Sequence, residues 1–189
     1  MIDSFSVTQR HYDIIIGQAA QNYPEEEGGF LGGDKEGLIQ AIFPMFNKHL
    51  FNKTDTFAIV GEDLDRAYRF FDKHGLMYYG LYHSHPHGVP YPSTADINTK
   101  QKYHFIIGMK DVSSPVFNAF KIEGRNPIAV PLRIVSNKKF SAIDIHAKNK
   151  KGSDQKVYLS QRSMQEEADD LSGLMDNIKQ NKPQYKKLD

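Results

Sequence analysis

His83, Ser84, His85 and Pro86 stand together in the sequence. On a strand, positions i and i+2 point to one face, so the two imidazoles converge. Pro86 ends such a strand just after the second His, because it has no N–H to give a ladder. The ends of central strands are where open sheets commonly hold ligands. Ser93-Thr94-Ala95-Asp96 follows. It reads as a helix start, with Ser at the N-cap and an acid three residues on. Each half has an ordinary reading: two His as a hydrogen-bonded pair without metal, and Ser93 with Asp96 as a cap alone. Together they can bring two imidazole nitrogens and one carboxylate to one point. Hydrolytic zinc commonly takes three protein ligands and keeps a fourth position for water. The chain has no Cys, so any metal site must be built from His, Asp or Glu. Activating water also calls for a carboxylate near the metal but not on it. Glu25, Glu26 and Glu27 are the candidates, although on composition alone a Glu triplet reads first as a solvated charged turn.

The elements that must position these groups follow from periodicity and punctuation. Residues 6–23 read as a helix, with Val7, Tyr12, Ile15, Ile16, Ala19 and Tyr23 at roughly helical spacing. The Gly-rich run 28–33 and residues 38–46 read as a hairpin across the turn 34–37. Residues 56–60 read as a strand. Residues 62–74 read as a helix, with Glu62, Asp63 and Asp65 at its start and Gly75 past its end. Residues 76–85 form the central strand that carries both His. Further strands are expected at 103–109, 116–122 and 128–135. The fold class is therefore α/β (α+β), a mixed central sheet flanked by helices. After Val135 the texture changes. Residues 137–156 are polar, with six Lys against two Asp, and read as a linker or a loosely attached arm. Ser163 and Glu166 form a capping box before an apolar stripe of Met164, Ala168, Leu171, Leu174, Met175 and Ile178. The tail 181–189 reads as frayed. The chain thus divides into a domain at 1–135 and, at 136–189, a linker plus an amphipathic helical extension. That stripe needs cover, from the domain or from a second copy in a homodimer.

Composition narrows the function. Lys and Arg number 24 against 23 Asp and Glu in 189 residues. So balanced a charge argues against a general nucleic-acid binder. The absence of Cys excludes thiol catalysis, disulfide frameworks and thiolate zinc sites. No apolar run approaches a membrane span, and residues 1–10 carry no secretion signal. The expectation is a cytoplasmic protein acting neither on nucleic acid nor at a membrane.

His83-Ser84-His85-Pro86, seven residues after His85, then Ser93-Thr94-Ala95-Asp96, resembles the metal motif of the JAMM (MPN-plus) metalloprotease family at every defining position. The stretch Tyr23-Pro24-Glu25-Glu26-Glu27-Gly28-Gly29-Phe30-Leu31-Gly32-Gly33 resembles the family's first helix-to-strand junction, which puts the family's essential Glu at Glu26. The resemblance spans roughly 7–135. It implies the JAMM/MPN fold and one zinc ion per chain, ligated by His83, His85 and Asp96. It also implies that Glu26 moves the proton and that Ser93 helps hold the developing oxyanion. Only six residues separate Asp96 from the strand at Tyr103, as in the compact prokaryotic members. The run 80–92 looks like bacterial peptidases acting on the C-terminus of sulfur-carrier proteins. The implied activity is hydrolysis of the amide bond after the C-terminal Gly of a ubiquitin-like or sulfur-carrier protein with a Gly-Gly tail.

Two other readings compete. Two His and one carboxylate also describe the facial triad of non-haem iron oxygenases. Those favour antiparallel barrels, and that reading leaves Glu26 and Ser93 unused. The other is a non-catalytic interaction scaffold on the same fold, which would be expected to have lost ligands that are all present here. Hydrolysis of an unrelated peptide remains the alternative within the enzyme reading. His11, His49, His74, His104 and His146 have no companions at ligand spacing and read as structural or surface residues. His87 reads as part of the site rim, and Tyr82 and Phe30 as core.

Overall fold

The computed structural model describes residues 2–136, 140–148 and 154–162. The element order is β1 Phe5–Thr8, α1 Gln9–Gln21, β2 Gly28–Gly33, β3 Leu38–Met45, α2 Gly61–Lys73, β4 Met77–His85, α3 Thr94–Asn98, β5 Tyr103–Gly108, β6 Val116–Glu123, β7 Asn126–Val130, β8 Leu132–Val135, β9 Phe140–Lys148 and β10 Asp154–Arg162. The fold is the expected mixed sheet with helices packed on it. Strand order is β7-β6-β5-β4-β2-β3-β1-β8, with β10 joining β3 and β9 joining β10.

The two ends of that order are neighbours in sequence. β7 stops at Val130 and β8 starts at Leu132, so Pro131 alone spans from one edge to the other. Consecutive Cα atoms lie about 3.8 Å apart, so the sheet must curl until its edges meet. Phe5 on β1 donates its amide to the Pro131 carbonyl at 2.7 Å. Phe5 is fully buried inside the curl. Its ring lies 5.1 Å from those of Tyr79 and Tyr103 and 4.8 Å from Phe105. Ile15 and Ala19 of α1 join this cluster. A second cluster packs Ala67 and Phe71 of α2 against Phe30, Phe43 and Leu81 on the other side of the sheet. Phe30 and Tyr82 are core residues, as their composition suggests.

β4 lies between β2, antiparallel, and β5, parallel. Its register with β2 slips between Leu31 and Gly32, leaving Tyr79 as an extra residue. This bulge changes the phase of the strand, so Leu81, His83 and His85 fall on the α2 side, and Tyr82 points to α1. Gly80 at the bulge is required by contact: a Cβ there would lie 2.0 Å from the Tyr103 carbonyl oxygen of β5.

Four expectations need correction. The start of the expected helix 6–23 is a strand: Phe5 and Val7 alternate into the core, and α1 begins only at Gln9, capped by the Thr8 hydroxyl. Residues 56–60 form no strand; their carbonyls bond to Asn47 and Lys48 instead of to a ladder. The expected strand 128–135 is two strands, parted at Pro131, which lacks an amide hydrogen. The polar stretch 137–156, read as a linker or a loosely attached arm, contains β9 and the start of β10, a hairpin that pairs with β3 at Ala41 and Ile42. The expected helix with Ser163, Met164 and Ile178, and any dimer through it, lie outside the described residues. No helix among the described residues is long and apolar enough to cross a membrane.

Because Phe5 is fully buried among the rings of Tyr79, Tyr103 and Phe105, Phe5→Ala should cost about 3–5 kcal/mol. Urea unfolding of the variant would show it as a lower midpoint with little change in slope; an unchanged midpoint would contradict this packing.

Candidate metal centre

The parallel pairing of β4 with β5 decides where Asp96 lies. A parallel pair needs a crossover, and the chain between His85 and Tyr103 carries α3 back across the face holding both His. Ser93 and Asp96 make a complete capping box. The Ser93 hydroxyl accepts from the Asp96 amide at 3.2 Å, and the Asp96 carboxylate accepts from the Ser93 amide at 2.7 Å. The Ser93 hydroxyl also donates to Asp96 Oδ2 at 2.7 Å. The cap thus locks the rotamer that aims Asp96 at the histidines.

His83 Nε2 lies 3.0 Å from Asp96 Oδ1, and His85 Nε2 lies 3.4 Å from Asp96 Oδ2. The two Nε2 atoms are 3.0 Å apart. Three ligand atoms within 4.8 Å of one another form the metal-competent group found among the described residues. His85 Nδ1 faces the Val89 carbonyl at 3.2 Å. Donation there leaves the Nε2 lone pair free to ligate, the usual outer support of a metal-bound His. The Phe57 ring lies nearly parallel to His83, 6.0 Å between centroids. Burial would raise the Asp96 carboxyl, but hydrogen bonds with both imidazoles and Ser93 hold it far below the ordinary carboxylate range. Burial works against a charged His85, yet the bond to Asp96 raises its pKa on balance. As they stand, the imidazoles bond the Asp96 carboxylate through their ring N–H groups. A dication satisfies all three, so the donor set fits a zinc-type site with one side open.

The Glu triplet is divided among three environments. Glu25 is half-exposed and pairs with Lys53 at 3.3 Å. Glu26 is buried and lines a cleft of about 320 Å³ together with His83, His85, Ser93 and Asp96. Burial pushes its carboxyl up to about 8, with His85 pulling down and Asp96 adding to the rise. Glu27 turns to the α1 side, where Gln18 Nε2 reaches its Oε2 at 3.4 Å. Tyr82 donates to the same Gln18 at 2.6 Å. Glu26, His83, His85, Ser93 and Asp96 thus line one cleft, and Glu25 and Glu27 do not.

Ser84 was not singled out, yet it ties the acids to the ligands. Gly28 pairs with His83, where a Cβ would meet the Tyr82 carbonyl oxygen at 2.2 Å, so glycine lets β2 lie close. One step on, the Ser84 amide donates to the Glu27 carbonyl at 2.8 Å, and its hydroxyl accepts from the Glu27 amide at 2.9 Å. His104, read as a structural or surface residue without companions at ligand spacing, is buried outside the ligand set: its ring lies 6.4 Å from that of His83 and its Nε2 is 3.2 Å from the Thr99 hydroxyl. Burial, then the nearby His83, lowers its pKa to about 4, so it is neutral. Only the β4–β5 register brings it there. His87 is exposed on the cleft rim against Tyr23.

Burial, partly offset by Gln18, pushes Glu27 up to about 7 from an ordinary 4.5. Below the ordinary value both folded and unfolded chains hold the proton, so nothing is lost. As pH rises toward 7 the unfolded chain gives up its proton first, and the fold loses stability relative to acid. Glu27→Gln stays neutral and can still accept from Gln18. It should stabilise the protein above pH ~7 by on the order of 1–3 kcal/mol and have no effect near pH ~4. Melting curves at the two pH values check this; an equal shift at both would contradict it.

The profile of the family described as prokaryotic homologs of the JAB domain matches residues 8–123, more than half of the chain. No curated protein matches the sequence. Among solved structures, a protein from Desulfitobacterium hafniense is similar with a TM-score of 0.63 at 22% identity, over 70% of this chain and 93% of that one. A protein from Salinibacter ruber is similar at 0.52 and 23%, over 69% and 92%. A JAB1/MPN domain protein from Archaeoglobus fulgidus reaches 0.45 and 19%, over 68% and 97%. With its profile match running from the start of the first helix through β6, across every residue of the metal centre, the chain belongs to the prokaryotic JAB domain family.

Proposed function

We propose that the protein is a zinc-dependent peptidase or isopeptidase that hydrolyses the amide bond after the C-terminal Gly of a ubiquitin-like or sulfur-carrier protein. The observation that carries this reading is the convergence of His83, His85 and Asp96 in one cleft with the buried Glu26. A scaffold has no use for a buried acid beside a complete ligand set.

Zinc held by His83, His85 and Asp96 would supply Lewis acidity toward an amide carbonyl and acidify water. The charge of the dication would favour the ionised form of Glu26 against the rise that burial causes; so ionised, Glu26 takes a proton from the attacking water as the water oxygen bonds to the carbonyl carbon. It returns that proton to the departing amine as the C–N bond breaks. Ser93 turns its hydroxyl from Asp96 toward the oxygen that gains charge. An extended Gly-Gly tail suits a narrow cleft, because without Cβ atoms its backbone can approach the ligands closely. The short link from Asp96 to β5 leaves little surface for a large leaving group, which favours an amino acid or a single exposed Lys.

His83→Ala and Asp96→Ala should each remove zinc while the sheet persists, as elemental analysis and circular dichroism would show. Full zinc in both would refute the ligand set. Glu26→Gln should keep zinc and lose about 100-fold or more in turnover; retained activity there with a dead Glu25→Gln or Glu27→Gln would move the base. The substrate is tested with a carrier conjugate ending in Gly-Gly and its Ala-Val counterpart. Cleavage of the first alone, abolished by chelator and restored by zinc, is expected. Equal cleavage of both, or of neither across a panel of carriers, would refute the substrate while leaving the metal centre standing.

A further inference from the structure

Between β3 and α2 the chain makes an excursion that joins no strand, and Thr54, Asp55, Thr56, Phe57 and Ile59 from it form one wall of the cleft. A single side chain organises it. Asn47 is buried at 6% exposure. Its Nδ2 donates to the carbonyl oxygens of Glu26 at 3.0 Å, Thr56 at 2.7 Å and, as a longer shared contact, Lys53 at 3.3 Å. Its Oδ1 accepts from the amides of His49 at 3.0 Å and Ala58 at 3.2 Å. The Glu26 amide in turn donates to the Lys53 carbonyl at 2.6 Å. Both main-chain polar groups of Glu26 therefore end in this excursion.

The Glu26 carboxyl itself receives no hydrogen bond from the described residues, so its place in the cleft is set through its backbone. On the far side Ser84 grips Glu27. At Glu26 the grip belongs to Asn47. Only a carboxamide offers two N–H donors and an acceptor on so short a stem. Asp would turn three donated contacts into carbonyl–carboxylate repulsion, and Ala would leave buried carbonyls unpaired.

We propose that Asn47 is a positioning residue that fixes the catalytic Glu26 through its carbonyl and, with the same amide, holds residues 48–58 as the cleft wall, so that base and substrate wall form one unit. This rests on the reading of Glu26 as the base. It predicts that loss of Asn47 lowers kcat through Glu26 and raises KM through the wall, while the metal ligands, which stand on β4 and α3, keep zinc.

The test uses the full chain carrying Asn47→Asp, the variant of equal size, and Asn47→Ser, which keeps one donor. Zinc content and unchanged amide exchange in β4 and β5 identify the folded protein. Exchange at the Glu26 and Ala58 amides should quicken about tenfold or more in Asn47→Asp, and less in Asn47→Ser. With the Gly-Gly conjugate, kcat should fall about tenfold or more and KM should rise. On a Glu26→Gln background the same substitution should cost less than about threefold in kcat, because the residue it acts through is gone. Unchanged exchange, or an equal kcat loss on both backgrounds, would overturn the proposal. If the zinc-loaded wild type cleaves no carrier, the functional reading fails instead. Exchange then decides the role of Asn47: faster Glu26 exchange with zinc retained supports the grip, and unaltered protection refutes it.

Discussion

The close pairing of β2 with β4 is the constraint on which the site depends. Gly28 faces His83 across that pair with no room for a side chain, so the strand that follows the acids lies directly on the strand bearing the histidine ligands. Ser84 extends the contact one residue beyond the ladder by lending its hydroxyl to the Glu27 amide. Pleating then separates neighbouring carboxylates. Glu26 falls on the side of the histidines and Glu27 on the side of α1. Two adjacent residues of one type thereby become a candidate base and a structural acid.

The second partner of β4 supplies the third ligand. Because β5 runs parallel to β4, the chain has to cross from one end of the pair to the other, and its path takes α3 over the imidazoles. A helix of five residues gains little stability from its own hydrogen bonds. Its capping box compensates, and Asp96 serves as both cap and ligand candidate. The cost of facing donors toward one another falls on the same residues. His83, His85 and Asp96 each lose hydration, and their mutual contacts recover it only in part. A cation between them would be bound by all three.

The curl of the sheet provides the rigidity that this geometry needs. Pro131 joins the two edges, and Phe5 packs against rings from β4 and β5 at the centre. β4 is therefore held from behind by aromatic packing and flanked on both sides by ladders, whereas the cleft wall at 48–58 has no ladder of its own. The division places both histidine ligands on a strand paired on either side and the cleft wall on a segment organised by side-chain hydrogen bonds.

Much of this was legible in the residues themselves. His83, His85, Ser93 and Asp96 could be read because strand alternation and helix capping are local, and the chemistry follows from residue type. The α2 helix and the strands β2 to β6 could be read for the same reason. The choice of Glu26 within the triplet came from resemblance, since period-two alternation says which residues share a face but not which face meets the histidines. That was decided by the β2–β4 register. Val7 was misread as helical and Phe5 was assigned to no element, because four residues carry too little periodicity, and only pairing with β3 and β8 makes them a strand. The split at Pro131 depends on the curl of the whole sheet. Asn47 carried no signal at all, because its partners Glu26, Thr56 and Ala58 are brought together only by the tertiary fold.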